Sequence, residues 1–388
     1  MERFQIPAQV EKVLYGLIGV GLLSLLLGFI FDPHRSWAAL LVFTIFLLLL
    51  SLSGGFFAAV QLVSGAKWSV VIRRLSEATL AALPVVGLGL LAIFFGIHHL
   101  YEWSHADTVA RDPLLQYKAG YLNVPFFIVR VIIYFLLWFF LGNYLRHLSL
   151  QQDTKGQDLP RSKLIATSAV YLIVFAYTLA LASLDLIMSL EPHWFTTMFP
   201  VYVFSGLAYS GTSAMIILII TIQKYGGLKD VTEEHLHDMG KWLFVFTTFW
   251  AYIAFSQHML IWYANLPEET YYLEQRLKGV WGYFTAFFWI FHFVVPFAIL
   301  LQRDVKRNPR SLIKVAWLTL FMGFADVVWM VYGGLSLPGF PLGILELGVF
   351  AGTVGVFGLM VLKSFAKYPQ VPIGDPYLEE SRHFHQPI

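Results

Sequence analysis

The sequence contains no cysteine among its 388 residues. Without cysteine the chain cannot form a disulfide, ligate an iron–sulfur cluster through thiolates or attach haem covalently. Charged residues are also scarce, at 13% of the chain, and the formal net charge is only +2. Because no basic stripe is present, nucleic acid is not an expected partner. Any redox centre that this chain uses must be held by histidine or by a partner.

Hydrophobic residues make up 58% of the chain, which is too apolar for the surface of a soluble domain. A helix needs about 20 apolar residues to cross roughly 30 Å of hydrocarbon. Ten such runs occur, at about 13–31, 38–60, 78–97, 122–142, 164–190, 199–222, 242–265, 280–301, 312–332 and 342–362. No small-residue cleavage site follows the first run, so it is interpreted as a retained span. The sequence therefore predicts an all-α integral membrane protein with a single polytopic domain over 1–388.

Lysine and arginine are unevenly distributed between the two sides of these spans. The termini and the loops after spans two, four, six and eight hold about twenty, and the five opposite loops hold about five. Since basic residues are retained in the cytoplasm, both termini are expected there. An odd number of spans, with one run re-entrant, is the alternative. The proline-containing tail at 363–388 is expected to lie along a partner or to remain mobile.

Ionisable residues inside the predicted spans are functional candidates, because a charge in hydrocarbon costs about 2.5 to 3.5 kcal/mol or more. Several fall about 10 Å from the periplasmic ends of their spans at 1.5 Å per residue: Arg130, Asp185, His258 and Asp326. Others lie near that layer, at its rim or nearer the midplane: Glu346, His98, His99 and His292. Such a layer could consist of structural ion pairs, or it could form a proton relay or polar ligand site.

The positions of these residues also suggest an internal duplication. The third span ends in His98 and His99 where the seventh carries His258, and the fifth carries Asp185 where the ninth carries Asp326. Four crossings restore the direction of the chain, so the two groups of helices would run the same way. We therefore expect two four-helix bundles, at 38–190 and 199–332, flanked by the first and tenth helices.

Haem and metal binding are not expected from the histidine pattern. A b-type haem needs two histidines at matching depth, and His258 and His292 differ by roughly 8 Å at 1.5 Å per residue. His235 and His237 lie in the charged segment TEEHLHDMGK, which is typical of a solvated helix start rather than a metal site. The sequence thus predicts no haem and no metal ligand in this chain.

Quinone chemistry requires fewer specific residues than haem binding does. A quinol hydroxyl must give its proton to a base, for which Asp185 or His258 is suited, while apolar and aromatic side chains accept the ring. Four aromatic residues near His258 could form such walls: Trp250, Tyr252, Trp262 and Tyr263. Alternatively, the carboxylates and His292 could form a water-assisted proton path without quinone.

Three long segments resemble a known family: KAGYLNVPFFIVR at 118–130, SLDLIMSLEPHWFTTMFPVYVFSG at 183–206 and HDMGKWLFVFTTFWAYIAFSQHMLIWYANLPEET at 237–270. They are similar to the NrfD-like, polysulfide-reductase-type membrane subunits. The resemblance is closest to the smaller of two paralogous membrane subunits in bacterial alternative complex III, a quinol:cytochrome c or quinol:electron-acceptor oxidoreductase. The matched positions include Arg130, Asp185, Glu191, Gln257 and His258, whereas His292, Asp326 and Glu346 rest on depth alone.

The resemblance implies ten helices in two four-helix bundles, within the bacterial cytoplasmic (inner) membrane. It also implies partners: the paralogous NrfD-like subunit, a pentahaem c-type cytochrome, an iron–sulfur or molybdopterin-like subunit, other small membrane subunits and lipids. Haem and iron–sulfur centres would lie in those partners, and this chain would bind no covalent cofactor. Proton conduction is the expected role, and binding of menaquinone or another quinol by this copy stays open, as does whether the subunit is itself catalytic.

Two other functions stay open. A proton-coupled secondary transporter would need broken helices at the midplane, and Pro84, Pro125 and Pro296 are expected near span ends or outside the layer. A purely structural anchor for peripheral redox subunits would use the buried layer only to join helices.

Overall fold

Ten long helices dominate the computed structural model, which describes residues 3–155 and 160–385. Their bounds are α1 Ala8–Phe31, α2 Pro33–Val63, α3 Val70–Phe95, α4 Val124–Thr154, α5 Arg161–Leu190, α6 Phe199–Lys224, α7 Glu233–Ala264, α8 Gly279–Leu300, α9 Pro309–Gly334 and α10 Ile344–Ala366. Each is long and apolar enough to cross a membrane. The described residues contain no β-strand. The predicted all-α integral membrane fold is confirmed.

The connections contain short helices, and local sequence sets where several helices begin. The short helices are Ile97–Leu100, Ala106–Arg111, Pro113–Lys118, Pro267–Leu277, Arg303–Arg307 and Leu378–Arg382. Asp32, Asp112 and Asn308 each precede a proline and accept a hydrogen bond from a backbone N–H of the first turn. This combination satisfies an otherwise unpaired donor and presets the helical backbone, so it starts α2, Pro113–Lys118 and α9.

Helices α2, α6 and α9 form the centre of the molecule. Between 83% and 89% of their most apolar windows is buried, against 11% for α1. Helix α2 packs on α3 and α5 and α4 packs on α5, while α6 packs on α7 and α9 and α8 packs on α9. Each contact in α2–α5 therefore recurs four helices later in α6–α9. The two groups meet where α2 and α5 contact α6.

Helix α1 joins this core mainly through α10, and glycine makes that contact possible. A Cβ on Gly21 would lie 2.5 Å from the Cα of Gly352, and a Cβ on Gly348 would lie 2.4 Å from the Cβ of Ser24. Small residues let two backbones approach closely in a membrane, where tight packing takes over from the hydrophobic effect. The first and tenth helices therefore form a flanking pair, as the sequence predicts.

The third span begins earlier than its hydropathy predicts. Helix α3 starts at Val70 rather than near residue 78, and the residues gained include Arg73, Arg74 and Glu77, all of them buried. Arg73 and Arg74 both form ion pairs with Glu77, which offsets charges that a hydropathy scale counts separately. Pro84 consequently lies inside α3, just after the 3₁₀ turn Thr79–Ala82 and not near a span end. It is still outside the layer of ionisable residues, because it lies about 16 Å from the end of α3 at Phe95 at 1.5 Å per residue.

The C-terminal tail folds back across its own chain instead of remaining mobile, up to residue 385. Asp375 pairs with Arg73 at 2.5 Å and with Arg161 at 3.1 Å, and Ser381 donates a hydrogen bond to the carbonyl of Trp68 at 2.7 Å. Burial works to raise the pKa of Asp375, but Arg73 and its other partners hold this pKa below its usual range. Residues 386–388 of the predicted tail lie outside the described residues.

The charged start of α7 is buried beneath this tail. His235 is fully buried, with Nε2 placed 3.0 Å from the carbonyl oxygen of Ser381 and Nδ1 2.8 Å from the hydroxyl of Thr232. His237 is buried as well. The prediction of a solvated helix start is therefore wrong, because the tail and the short helix Arg303–Arg307 cover this segment.

Candidate functional site

Arg130 of α4 and Asp185 of α5 form a closed ion pair. Nε donates to Oδ2 and Nη2 donates to Oδ1, both at 2.9 Å. The hydroxyl of Tyr134 also donates to Oδ2, at 3.0 Å, and the guanidinium lies 3.7 Å from the ring centroid of Tyr121. Both carboxylate oxygens are thus occupied and their charge is matched, as in a bidentate structural pair. The contact joins α4 to α5.

Asp326 of α9 has a different environment from Asp185, although the two residues occupy corresponding positions in the predicted duplication. Its carboxyl is buried and accepts hydrogen bonds from the hydroxyl of Tyr202 on α6 and from the indole Nε1 of Trp250 on α7, the latter at 3.0 Å. Among the described residues no lysine, arginine or histidine forms an ion pair with it. Asp326 is therefore a buried ionisable group held by two neutral donors, which marks a functional candidate inside a membrane.

A small pocket adjoins Asp326 within the second bundle. Tyr202 and Trp250, the two donors to Asp326, line it together with Gln257, His258, Arg276 and Trp329. Its volume of about 30 Å³ gives room for about two water molecules. Gln257 is buried and its Oε1 has no hydrogen-bond partner among the described residues, while His258 is half-buried. The pocket thus brings two predicted site residues close to the donors of a third.

His292 lies on the other side of Trp250. Its ring stacks between Trp250, at 3.7 Å between centroids, and Tyr209, at 4.2 Å. Nδ1 lies 3.2 Å from the carbonyl oxygen of Met322, which can only accept, so Nδ1 carries the proton of the neutral ring. Nε2 is then an acceptor, and it is buried without a partner among the described residues. The π-helical turn Ile290–Val294 carries this histidine, and such turns often occur at functional sites.

Arg276, in the connection between α7 and α8, also lines the pocket. Its Nη2 donates to Oε2 of Glu191 at 2.8 Å and its Nη1 to Oε1 at 3.2 Å. Its guanidinium also lies 3.7 Å from the ring centroid of Tyr272. Burial works to lower the pKa of Arg276, but Tyr272 and Glu191 hold this pKa above its ordinary value. Since Glu191 follows α5, this pair ties the two bundles together.

Arg276 was not among the predicted site residues because it lies outside every predicted span. The signal was the short segment YYLEQRLKG, in which an arginine follows two tyrosines, and the guanidinium packs on the second of them, Tyr272. Glu191 was predicted as a site residue, but its partner was not. The ion pair joins residues that are 85 positions apart, so local pattern could not reveal it.

Three further predicted residues lie away from the pocket. Glu346 accepts hydrogen bonds from Nε of Arg35 at 2.7 Å, from the hydroxyl of Tyr332 at 2.7 Å and from the backbone N–H of Gly343 at 2.6 Å. It therefore fixes the start of α10 and pairs with the start of α2. His98 and His99 are exposed, with Nδ1 of His98 lying 3.0 Å from the hydroxyl of Ser104 and the ring of His99 stacked on Trp37.

Only one of the four aromatic residues predicted as walls lines the pocket. Trp250 is fully buried there, whereas Tyr252, Trp262 and Tyr263 are 65%, 70% and 84% exposed. They point away from the core of the protein, as aromatic residues of a membrane-facing surface do. The prediction that they form pocket walls is wrong, because each lies on the outer face of α7.

Taken together, the second bundle holds a buried carboxyl, a buried imidazole with an available nitrogen and a polar-edged aromatic pocket. These groups can accept and release protons and can bind a small aromatic or polar ligand. No protein-family model matches the chain, and a search of curated proteins gives no significant match. Function must then be inferred from the residues themselves.

Proposed function

We propose that this protein is an NrfD-like membrane subunit of a quinol-oxidising respiratory complex, in which α6–α9 handle the protons released from quinol. The observation that carries the proposal is Asp326, a buried carboxyl with two neutral donors and no paired cation, next to an aromatic pocket. An unpaired ionisable group in a membrane interior is rarely retained for stability alone. The complex would lie in the bacterial cytoplasmic membrane with both termini of this chain in the cytoplasm.

Oxidation of a quinol to a quinone releases two protons and two electrons. This chain would accept protons, and the electrons would pass to haem and iron–sulfur centres in partner subunits. Tyr202 lines the pocket and donates to Asp326, so its hydroxyl connects the pocket to the buried carboxyl. His258 and the free Oε1 of Gln257 offer acceptors at the pocket itself.

The size of the pocket favours proton transfer as the primary role. Room for about two water molecules fits a short hydrogen-bonded path through the pocket, which His258 and Tyr202 both line. A quinone ring would require side chains such as Trp289 or Leu277 to move outward. Quinone binding at this copy is thus a secondary part of the proposal.

A structural membrane anchor is the second candidate, and the ion pairs favour it. Arg130 with Asp185 and Arg276 with Glu191 are bidentate and buried, so they can join helices without taking part in chemistry. An anchor of this kind would tolerate neutralisation of Asp326 without loss of turnover.

Mild-detergent purification of the tagged native protein, followed by subunit identification and a quinol:acceptor assay, tests the proposal. We expect a multihaem c-type cytochrome and an iron–sulfur subunit to co-purify, together with quinol-dependent reduction of the acceptor. A second tagged membrane protein from the same cells serves as the control for adventitious partners. Recovery of the chain without those subunits or that activity would contradict the proposal and favour a transporter.

A further inference from the structure

A large apolar cavity lies between α1 and the helices α6, α9 and α10. Its volume is about 440 Å³, and its walls include Leu14, Leu17, Ile217, Leu218, Leu320 and Phe357. Helix α1 packs on α10 through glycine and on α2, and a gap remains between α1 and the facing sides of α6 and α9. It is separate from the Asp326 pocket and shares no lining residue with it.

The cavity has the depth of one lipid leaflet. On α6 its lining runs from Lys224, at the helix end, to Ala214, which is a distance of about 15 Å at 1.5 Å per residue. That distance is half of the roughly 30 Å hydrocarbon core. On α1 the lining runs from Gln9 to Leu17, beginning at the same membrane surface. An acyl chain of that leaflet therefore matches the cavity in length.

The mouth of the cavity is polar and basic. Lys224 is exposed there beside Tyr225, with its Nζ 5.8 Å from the ring centroid, and it forms no ion pair with another described residue. Arg310 is exposed one helical turn before the lining residue Ile313, and it also forms no ion pair within the described part of the chain. Glu11, the acidic residue in the first turn of α1, is paired with Lys363 at 3.4 Å. A net positive charge is left at the level of the headgroups.

We propose that this cavity binds a phospholipid with a net negative headgroup. Its acyl chains would occupy the space between α1 and α6, and its phosphate would contact Lys224. Basic side chains at a membrane surface attract anionic lipid, and filling the cavity restores dispersion contacts that its walls otherwise lack. The bound lipid would hold α1, which packs chiefly on α10 and α2, against α6 and α9. This site is independent of the proposed proton chemistry.

Native mass spectrometry of the full chain, in whatever assembly it is extracted, tests the proposal. The protein is reconstituted in nanodiscs of equal phosphatidylglycerol and phosphatidylethanolamine, released, and its retained lipid is identified. We expect retention of phosphatidylglycerol, and about a fivefold lower retention in Lys224→Gln, as one surface lysine predicts. Lys229→Gln, an exposed lysine of the following loop that does not line the cavity, is the matched control.

A second pair of variants tests the acyl chains. Val354→Phe fills part of the cavity and should lower retention of both phospholipids, whereas Val245→Phe, on the exposed face of α7, should not. Size-exclusion profiles of each variant verify folding. Equal retention in Lys224→Gln and Lys229→Gln, an isoprenoid quinone in place of phospholipid, or a partner helix crosslinked into the cavity would each overturn the proposal.

Discussion

Removing the carboxylate of Asp185 should weaken the fold, because this group neutralises a buried arginine. Asp185 accepts two hydrogen bonds from Arg130 and one from Tyr134. In Asp185→Asn an amide nitrogen replaces one carboxylate oxygen and cannot accept a hydrogen bond. The guanidinium of Arg130 therefore loses one hydrogen bond and its counter-charge. The side chain of Arg130 is only 8% exposed, so water cannot replace what is lost.

The expected loss can be set from these contacts. Breaking a buried ion pair by removing one partner costs about 3 to 5 kcal/mol. Arg130 keeps its stacking on Tyr121 and its hydrogen bond to the Tyr121 carbonyl oxygen at 2.8 Å, which places the loss near the lower end, about 3 kcal/mol. The double variant Arg130→Gln with Asp185→Asn leaves no uncompensated charge, so it should lose less than the sum of the two single variants.

Thermal unfolding of the purified variants in one detergent measures this coupling, and turnover is assayed at a temperature where all remain folded. We expect each single variant to unfold at lower temperature and the double variant to recover part of the loss. Strictly additive losses would refute the ion-pair account. An Asp185→Asn protein with unchanged thermal stability and no turnover would instead place Asp185 in the proton path.

The remaining predictions concern single groups around the pocket and the tail. Trp250→Phe keeps an aromatic wall but removes the indole donor to Asp326, so turnover should fall and its pH profile should shift, while an unchanged profile would argue against this hydrogen bond. Gly333→Ala places a Cβ 2.5 Å from Nε of Arg276, so the thermal stability of this variant should drop. Gly16→Ala, whose Cβ would meet open space, is the control and should keep the wild-type stability. Since the pKa of Asp375 is lowered on folding, its stabilising contribution is present above about pH 3.9 and is lost only as the pH falls further. Protease digestion should therefore leave the wild-type tail intact above that pH and cut the tail of Asp375→Asn throughout.

The number of spans could be predicted from the sequence because a helix in hydrocarbon has little freedom of length or composition. The layer of ionisable residues could also be located, since each stands out against apolar neighbours. Sequence did not distinguish Asp185 from Asp326, which occupy related places in two similar groups of helices. Their difference lies in side chains 55 and 124 positions away, Arg130 and Tyr202, which only the packing of helices brings close.

Charged segments were predicted least well. Arg73 was left outside the predicted spans because hydropathy adds the cost of each charge separately, and His235 was predicted to be solvated because its segment is charged. In the structure Arg73 pairs with Asp375, 302 positions later, and His235 bonds to the backbone of Ser381. Such pairing removes most of the cost of burial. The fold of the tail therefore depends on partners that no local pattern contains.

Turnover of Asp326→Asn in the purified assembly tests the central claim most directly. The hydroxyl of Tyr202 can rotate to accept from the new amide, so assembly and thermal stability should be retained. The exposed acid variant Asp107→Asn is the control. Because a positioned proton-transfer group contributes about 10² to 10⁴ in rate, we expect quinol:acceptor turnover to fall at least about a hundredfold. Wild-type turnover and proton release in an assembled Asp326→Asn protein would contradict the account.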